Sequence, residues 1–373
     1  MSTDAELDLS PASRTIVVKV GTSTLTDEEG RLDRNFLPVL ANQLCDLTDQ
    51  GHHLVLVTSG AVRAGVELLG WSARPKKIAL KQAAASVGQG RLMAAYAEAF
   101  GARGRLVGQI LLTRQLAQDR GRYLNAQNTL QALLKNGVTP IVNENDTVAV
   151  EELQFGDNDT LGALVAALVG ADLLLLLTNV DGLLDDTGAV IPVVPYLDRR
   201  VRKLAGGAGE HGSGGMATKV QAAEIAGAAG IPTVIARGRR EGVVRDAAEG
   251  DDLGTRFTPS TQPLKGRKHW LAYGIQPRGA LQVNEFAYRA VAFERRSLLP
   301  AGVTSVTGQF VAGECVSVVG PDGTEFARGL VACDAREAEL VKGKRTDDSP
   351  PRGARGGRSE LVNRDDLVLL PSA

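Results

Sequence analysis

The chain has 373 residues, is 43% hydrophobic but only 4% aromatic, and carries a formal net charge of −1. That length suggests about two domains around cores of Ala, Val and Leu. The near-neutral balance excludes a global field for gathering nucleic acid, so any such role must rest on a local patch. Cys45, Cys315 and Cys333 are widely spaced with no CxxC pairing, which favours buried thiols over a disulfide framework or a zinc site. The polar start, Met1 to Ser13, has no basic or apolar targeting region, and no apolar run reaches a membrane span. A soluble cytoplasmic protein without a membrane partner is expected.

Residues 14–20 read as a short apolar strand ending in glycine. Asp33 is placed to cap a helix whose apolar positions Phe36, Val39, Leu40, Leu44 and Leu47 follow helical spacing up to Gly51. Leu54 to Val57 is a second strand, turned by Ser59-Gly60-Ala61 into a helix running towards Leu69. Gln82 to Phe100 reads as helix, Leu106 to Leu112 as strand, and Asn125 to Leu134 as helix. Val138 to Val142 is a strand followed by the polar turn Asn143-Glu144-Asn145-Asp146, and Val148 to Phe155 alternates as a hairpin would. Helix at Asp159 to Val169, strand at Leu173 to Leu177, helix at Gly215 to Ala229 and strand at Thr233 to Ala236 follow. Continuous apolar strands alternating with helices predict an α/β fold, a mostly parallel open sheet sandwiched by helices. Ligands bind such sheets beyond the carboxyl ends of the strands, where the polar motifs fall.

From Gly279 the pattern changes to short β-like runs, Ala280 to Val283, Val303 to Val306, Cys315 to Val319, Phe326 to Val331 and Leu367 to Leu370, separated by glycine turns. They predict a small β-rich second domain. The Pro/Gly/Arg-rich stretch from Lys342 to Arg358 reads as a mobile loop.

Two lysines beside glycine and hydroxyl residues carry the chemistry: Lys19 in Val18-Lys19-Val20-Gly21-Thr22-Ser23, and Lys219 in Gly214-Gly215-Met216-Ala217-Thr218-Lys219. Bare N–H groups beside an ammonium suit a triphosphate. There is no Walker A order, and Lys219 falls a full turn inside its helix. Lys19 interrupts an apolar strand and needs a partner, a ligand or a buried carboxylate. Ser59 is either a plain N-cap or a holder of a substrate carboxylate. The clusters Asn143-Glu144-Asn145-Asp146 and Gly156-Asp157-Asn158-Asp159-Thr160 exceed what turns require. They suit recognition of an amine, orientation of the lysines or a hydrated metal. Thr178-Asn179-Val180-Asp181-Gly182 is a glycine β-turn or a nucleotide-contacting loop.

Together with Val57-Thr58-Ser59-Gly60-Ala61, Lys81-Gln82, Val87-Gly88-Gln89 and Leu111-Leu112-Thr113-Arg114, these motifs resemble the glutamate 5-kinase family of the amino acid kinase superfamily. The resemblance runs in order from about residue 14 to 260. Ser297-Leu298-Leu299-Pro300-Ala301-Gly302 and Val306-Thr307-Gly308 resemble a PUA domain. The expected organisation is a catalytic domain at 14–260, a PUA-like barrel at 277–371 and a disordered extension at 1–13. What the resemblance implies is ATP-dependent phosphorylation of the L-glutamate γ-carboxylate, the first step of proline biosynthesis. By it, Ser59, Asn143, Asp146 and Asn158 bind glutamate. Lys19, Thr178, Asn179 and the Ser213, Gly214, Gly215, Met216, Ala217, Thr218, Lys219 turn bind ATP. Lys19, Lys219, Asp157 and Asp159 serve catalysis, with Asp159 organising the lysines, and Mg2+ bridges the phosphates without a protein metal site. The resemblance also implies a dimer or tetramer, feedback inhibition by proline and channelling to glutamyl phosphate reductase.

The family often has Thr-Asp where this chain has Thr178-Asn179, with Asp181 nearby. The Lys342 to Arg358 stretch departs from the usual PUA ending, which leaves RNA binding unsupported. The rival readings are a superfamily kinase for aspartate or N-acetylglutamate, and an RNA-binding regulator with a vestigial kinase domain.

Overall fold

The computed structural model describes residues 13–113, 119–148, 158–206, 215–344 and 360–370, in two compact units, Met1–Pro263 and Leu264–Ala373. The first unit is built on strands β1 (Thr15–Val20), β2 (His53–Val57), β3 (Leu106–Leu112), β4 (Val138–Glu144), β5 (Leu173–Thr178), β6 (Val193–Val194), β7 (Thr233–Arg237) and β8 (Thr255–Phe257). Its helices are α1 (Thr22–Leu25), α2 (Phe36–Asp49), α3 (Ala61–Leu68), α4 (Ile78–Gly101), α5 (Arg120–Lys135), α6 (Asn158–Val169), α7 (Arg199–Leu204), α8 (Met216–Ala228) and α9 (Val243–Glu249).

The strands form one eight-stranded sheet in the order β3-β4-β2-β1-β5-β7-β8-β6. Every pairing is parallel except β7 with β8. The chain builds outward from β1 on one side through β2 and on the other through β5, so the order reverses at β1. A crevice at the strand carboxyl ends is expected there.

Side chains alternate across β1. Ile16, Val18 and Val20 join Leu173, Leu175 and Leu177 in a core that also holds Leu40 and Leu44 of α2 and Leu92 and Tyr96 of α4. Val17 and Lys19 point to the opposite face. There Gly162 of α6 has no side chain, and a Cβ on it would lie 3.3 Å from the Lys19 Cβ. The small residue lets the lysine stem pass between strand and helix.

Asp33 does accept from the backbone at the start of α2, from Asn35 at 3.0 Å and Phe36 at 3.1 Å, although helical geometry begins two residues later than the cap position. α4 starts at Ile78, one turn before the Gln82 start expected from its Ala-rich stretch. The expected hairpin from Val148 to Phe155 falls, past Val148, outside the described residues. α3 and α4 cross at contact through glycines. A Cβ on Gly88 would sit 1.8 Å from the Ala61 carbonyl oxygen and 2.3 Å from the Gly65 nitrogen. Backbone cannot yield at that distance, so Gly88→Ala is expected to lose roughly 2 kcal/mol by overpacking. A fall in Tm of about 4–8 °C on a thermal melt is the corresponding observation, and an unchanged Tm would mean that the helices separate freely.

The second unit carries β9 (Gly279–Val283), β10 (Val303–Gly308), β11 (Cys315–Val319), β12 (Glu325–Val331) and β13 (Val362–Leu369) in one sheet of order β10-β9-β11-β12-β13. Leu281, Val283, Val316, Val318, Leu361 and Val362 centre its own core. The three cysteines are buried and free. Burial pushes the Cys315 thiol up to about 11 and that of Cys333 to about 12, so both act as small apolar residues. Most of the Lys342 to Arg358 stretch lies outside the described residues.

Candidate active site

A cavity of about 850 Å³ opens at the carboxyl ends of β1, β2, β4 and β5, where the strand order reverses. Its floor is Lys19, whose backbone pairs in register with Val57 of β2 and Leu176 of β5. The ammonium lies 2.6 Å from Oδ1 of Asp159, which is fully buried in the first turn of α6. From the first turn of α8, Lys219 reaches the other oxygen, Oδ2, at 3.0 Å, and the Thr218 hydroxyl donates to the same atom at 3.0 Å. One carboxylate therefore holds two ammoniums that are 200 positions apart in sequence. Both lysines are nearly buried, 3% and 5% exposed, yet both line the cavity. A carboxylate at the amino end of α6 also meets the positive end of that helix. Between them these three side chains carry two positive charges and one negative, a balance that suits an anionic ligand.

Beside it lies an arc of amides and hydroxyls. The Asn158 Nδ2 donates towards the Thr58 carbonyl at 2.6 Å, the Ser59 Oγ at 2.8 Å and the Asn143 Oδ1 at 3.0 Å. Asn143, at the end of β4, donates in turn to Gln89 Oε1 at 2.8 Å. Thr58 is held from behind by a 2.8 Å hydrogen bond to the Tyr96 hydroxyl, whose ionisation burial pushes far up. Gly60, at φ 103°, turns β2 directly into α3 and leaves the first N–H groups of α3 beside Ser59. Asp146 lines the same part of the cavity; burial pushes its carboxyl up, the Arg74 charge opposing.

On the opposite side, Thr178 and Asn179 close β5, with the Thr178 hydroxyl donating to Asn179 Oδ1 at 3.3 Å. Asn179 lines the cavity; Asp181 does not stand in for the absent acid of the Thr-Asp pattern. Arg237 at the end of β7 holds it through two bonds, at 2.6 and 2.9 Å.

Of the residues singled out from sequence, the cavity brings together Lys19, Ser59, Asn143, Asp146, Asn158, Thr178, Asn179 and Lys219. Asp159 lies directly beneath the two lysines. Gly215, Met216, Ala217 and Thr218 lead into Lys219 but do not line the cavity. Asp157, Ser213 and Gly214 lie outside the described residues. Sequence reasoning assigned no role to Gln89, Arg63 or Lys81. Gln89 had a signal, a large amide in a run of Ala and Gly on a buried helix face.

The amino acid kinase family model matches residues 14–237, and the PUA domain model matches residues 279–350. A glutamate 5-kinase of Synechococcus sp. strain JA-2-3B'a(2-13) is 48% identical over 364 residues, covering 95% of this chain and 98% of the relative. One of Caldanaerobacter subterraneus subsp. tengcongensis is 46% identical over 362 residues, covering 95% and 97%. A solved carbamate kinase structure from Giardia superposes with a TM-score of 0.48 at 16% identity, covering 67% of this chain and all of that one. The chain thus belongs to the amino acid kinase family, with the glutamate 5-kinases as its relatives along almost its whole length and a PUA domain following the kinase domain.

Proposed function

We propose that this chain transfers the γ-phosphoryl group of ATP to the side-chain carboxylate of L-glutamate, giving L-glutamyl 5-phosphate and ADP, as the first step of proline synthesis. The observation that carries the reading is the pair of buried ammoniums on Asp159 at the strand reversal, beside an arc of amides and hydroxyls. The kinase domain is assigned to 14–260 and the PUA-like domain to 277–371.

The acceptor carboxylate is already a nucleophile, so no general base is required. Rate then comes from alignment and from neutralising charge as it shifts between oxygens. Lys19 and Lys219 meet the transferring group, and Asp159 keeps both ammoniums aimed. Thr178, Asn179 and the Ser213 to Lys219 turn hold the nucleotide. Ser59, Asn143, Asp146 and Asn158 hold glutamate, and Asp157 assists the transfer.

No group of three or more His, Cys, Asp or Glu among the described residues is placed to hold a metal. Asp159 holds the two lysines, so a magnesium ion would come to this site as a companion of the nucleotide, where it would add positive charge to the phosphates. No described helix is long and apolar enough to cross a membrane. Self-association into a dimer or tetramer, inhibition by proline and delivery of the product to glutamyl phosphate reductase complete the proposal, each on the strength of the family resemblance.

An acceptor panel with coupled detection of ADP tests the reading. Glutamate is expected to exceed aspartate and N-acetylglutamate in kcat/KM; faster turnover of either competitor would reject glutamate as the acceptor.

A further inference from the structure

We propose that Lys81 receives the α-carboxylate of the acceptor and thereby restricts the site to free α-amino acids. The inference rests on the reading of the cavity as an amino acid phosphorylation site.

The cavity is lined by the cations Lys19, Arg63, Arg74, Lys76, Lys81 and Lys219 against the acids Glu144 and Asp146. Most of these cations are accounted for. Lys19 and Lys219 are held by Asp159. Arg63 donates to the carbonyls of Gly30 at 2.6 Å and Glu29 at 3.2 Å, pinning the turn at the cavity rim. Arg74 and Lys76 are exposed on the segment before α4, and the Arg74 charge acts on Asp146. Lys81 differs. It is half-buried and lines the cavity, and while its backbone N–H donates to the Lys77 carbonyl at 3.0 Å, its side chain makes no hydrogen bond or ion pair with any other described residue.

Its position sharpens the point. Lys81 lies in the first turn of α4, which contains no acidic residue. The free N–H groups there already present positive charge, so a lysine is electrostatically misplaced unless an anion is bound. The cavity is the space in which that anion can sit.

Asp146 supplies the complement. It is a partly buried carboxylate on the same cavity. A free amino acid carries an ammonium and a carboxylate on one carbon, and Asp146 together with the Lys81 ammonium offers an acid and a base to read both. With the ammonium towards Asp146 and the α-carboxylate towards Lys81, the side-chain carboxylate is left for Ser59, Asn158 and the two lysines of the phosphoryl site. An acceptor whose α-carboxylate is blocked would leave the Lys81 ammonium half-buried without an anion.

The test compares L-glutamate with its α-amide, isoglutamine, which keeps the reacting γ-carboxylate and loses only the α-charge. The parent chain is expected to favour glutamate in kcat/KM by roughly 10- to 100-fold, the worth of one charged hydrogen bond. Lys81→Met is expected to remove most of that preference by raising KM for glutamate, with a much smaller change for isoglutamine. Lys81→Arg, which keeps the charge, is expected to restore part of it. If Lys81→Met lowers both acceptors alike, or leaves their ratio unchanged, the proposal is overturned and the α-carboxylate belongs to the N–H groups at the start of α3. If the parent chain transfers to neither acceptor, the glutamate reading falls and Lys81 falls with it.

Discussion

Lys219→Ala is expected to lower kcat by about two orders of magnitude or more, equivalent to roughly 3 kcal/mol of transition-state stabilisation. The ammonium is 5% exposed and held 3.0 Å from Asp159, so it is aimed before any ligand arrives. A donor that needs no reorganisation is worth most where charge develops, which is on the transferring group rather than on the bound substrates. The loss is therefore expected in kcat and kcat/KM together, with little change in KM for glutamate. Lys219→Arg is not expected to rescue turnover, because a planar fork cannot replace a compact ammonium between α6 and α8. The fold is expected to survive, since Asp159 keeps Lys19 as a partner at 2.6 Å, and a melting curve close to the parent's separates lost chemistry from lost structure. Near-normal turnover in Lys219→Ala would reject the paired-lysine mechanism.

The sheet was legible because its strands are continuous apolar runs, and the site because polar residues interrupt the pattern at strand ends. Lys19 announced itself as a charge inside Ile-Val-Val-Lys-Val. Residue spacing could not supply convergence, and the expectation that Asp159 organises both lysines came only through the family resemblance. Lys19 and Lys219 meet on Asp159 only because β1 and β5 are adjacent and α6 and α8 pack on the same face, facts of strand order rather than of spacing.

The same limit explains the residues left without a role. Gln89 matters because α4 carries it to the end of β4 and Asn143, and the Ala-rich stretch gave no sign of what α4 would cover. Lys81 stood one position before the expected start of the helix, so its place in a first turn was hidden. Asp181 was close enough in sequence to suggest a substitute for the acid missing at Asn179. The β5–β7 register sets Thr178 opposite Arg237, which takes that carboxylate away.

Asp159→Asn is expected to be the most damaging single change in the first unit, because it keeps the shape of the side chain and removes the charge that two buried ammoniums share. Breaking a buried ion pair by removing one partner typically costs about 3–5 kcal/mol, since the charge left behind is neither hydrated nor paired. For a unit of this size that corresponds to a fall in Tm of about 6–20 °C. Turnover is expected to fall at least as far as in Lys219→Ala, both ammoniums having lost the carboxylate that aims them. A further consequence separates a structural cluster from a phosphate site. Among these three side chains the parent carries two positive charges and one negative, and the variant lacks the negative one. If the lysines meet nucleotide phosphates, a non-hydrolysable ATP analogue supplies the missing negative charge, and its binding free energy contributes directly to stability. The analogue is therefore expected to raise Tm further in Asp159→Asn than in the parent, at saturating concentrations of each. An increment equal to or smaller than the parent's would mean that the lysines belong to the fold and not to the nucleotide, and the phosphoryl-transfer role assigned to them would have to be withdrawn.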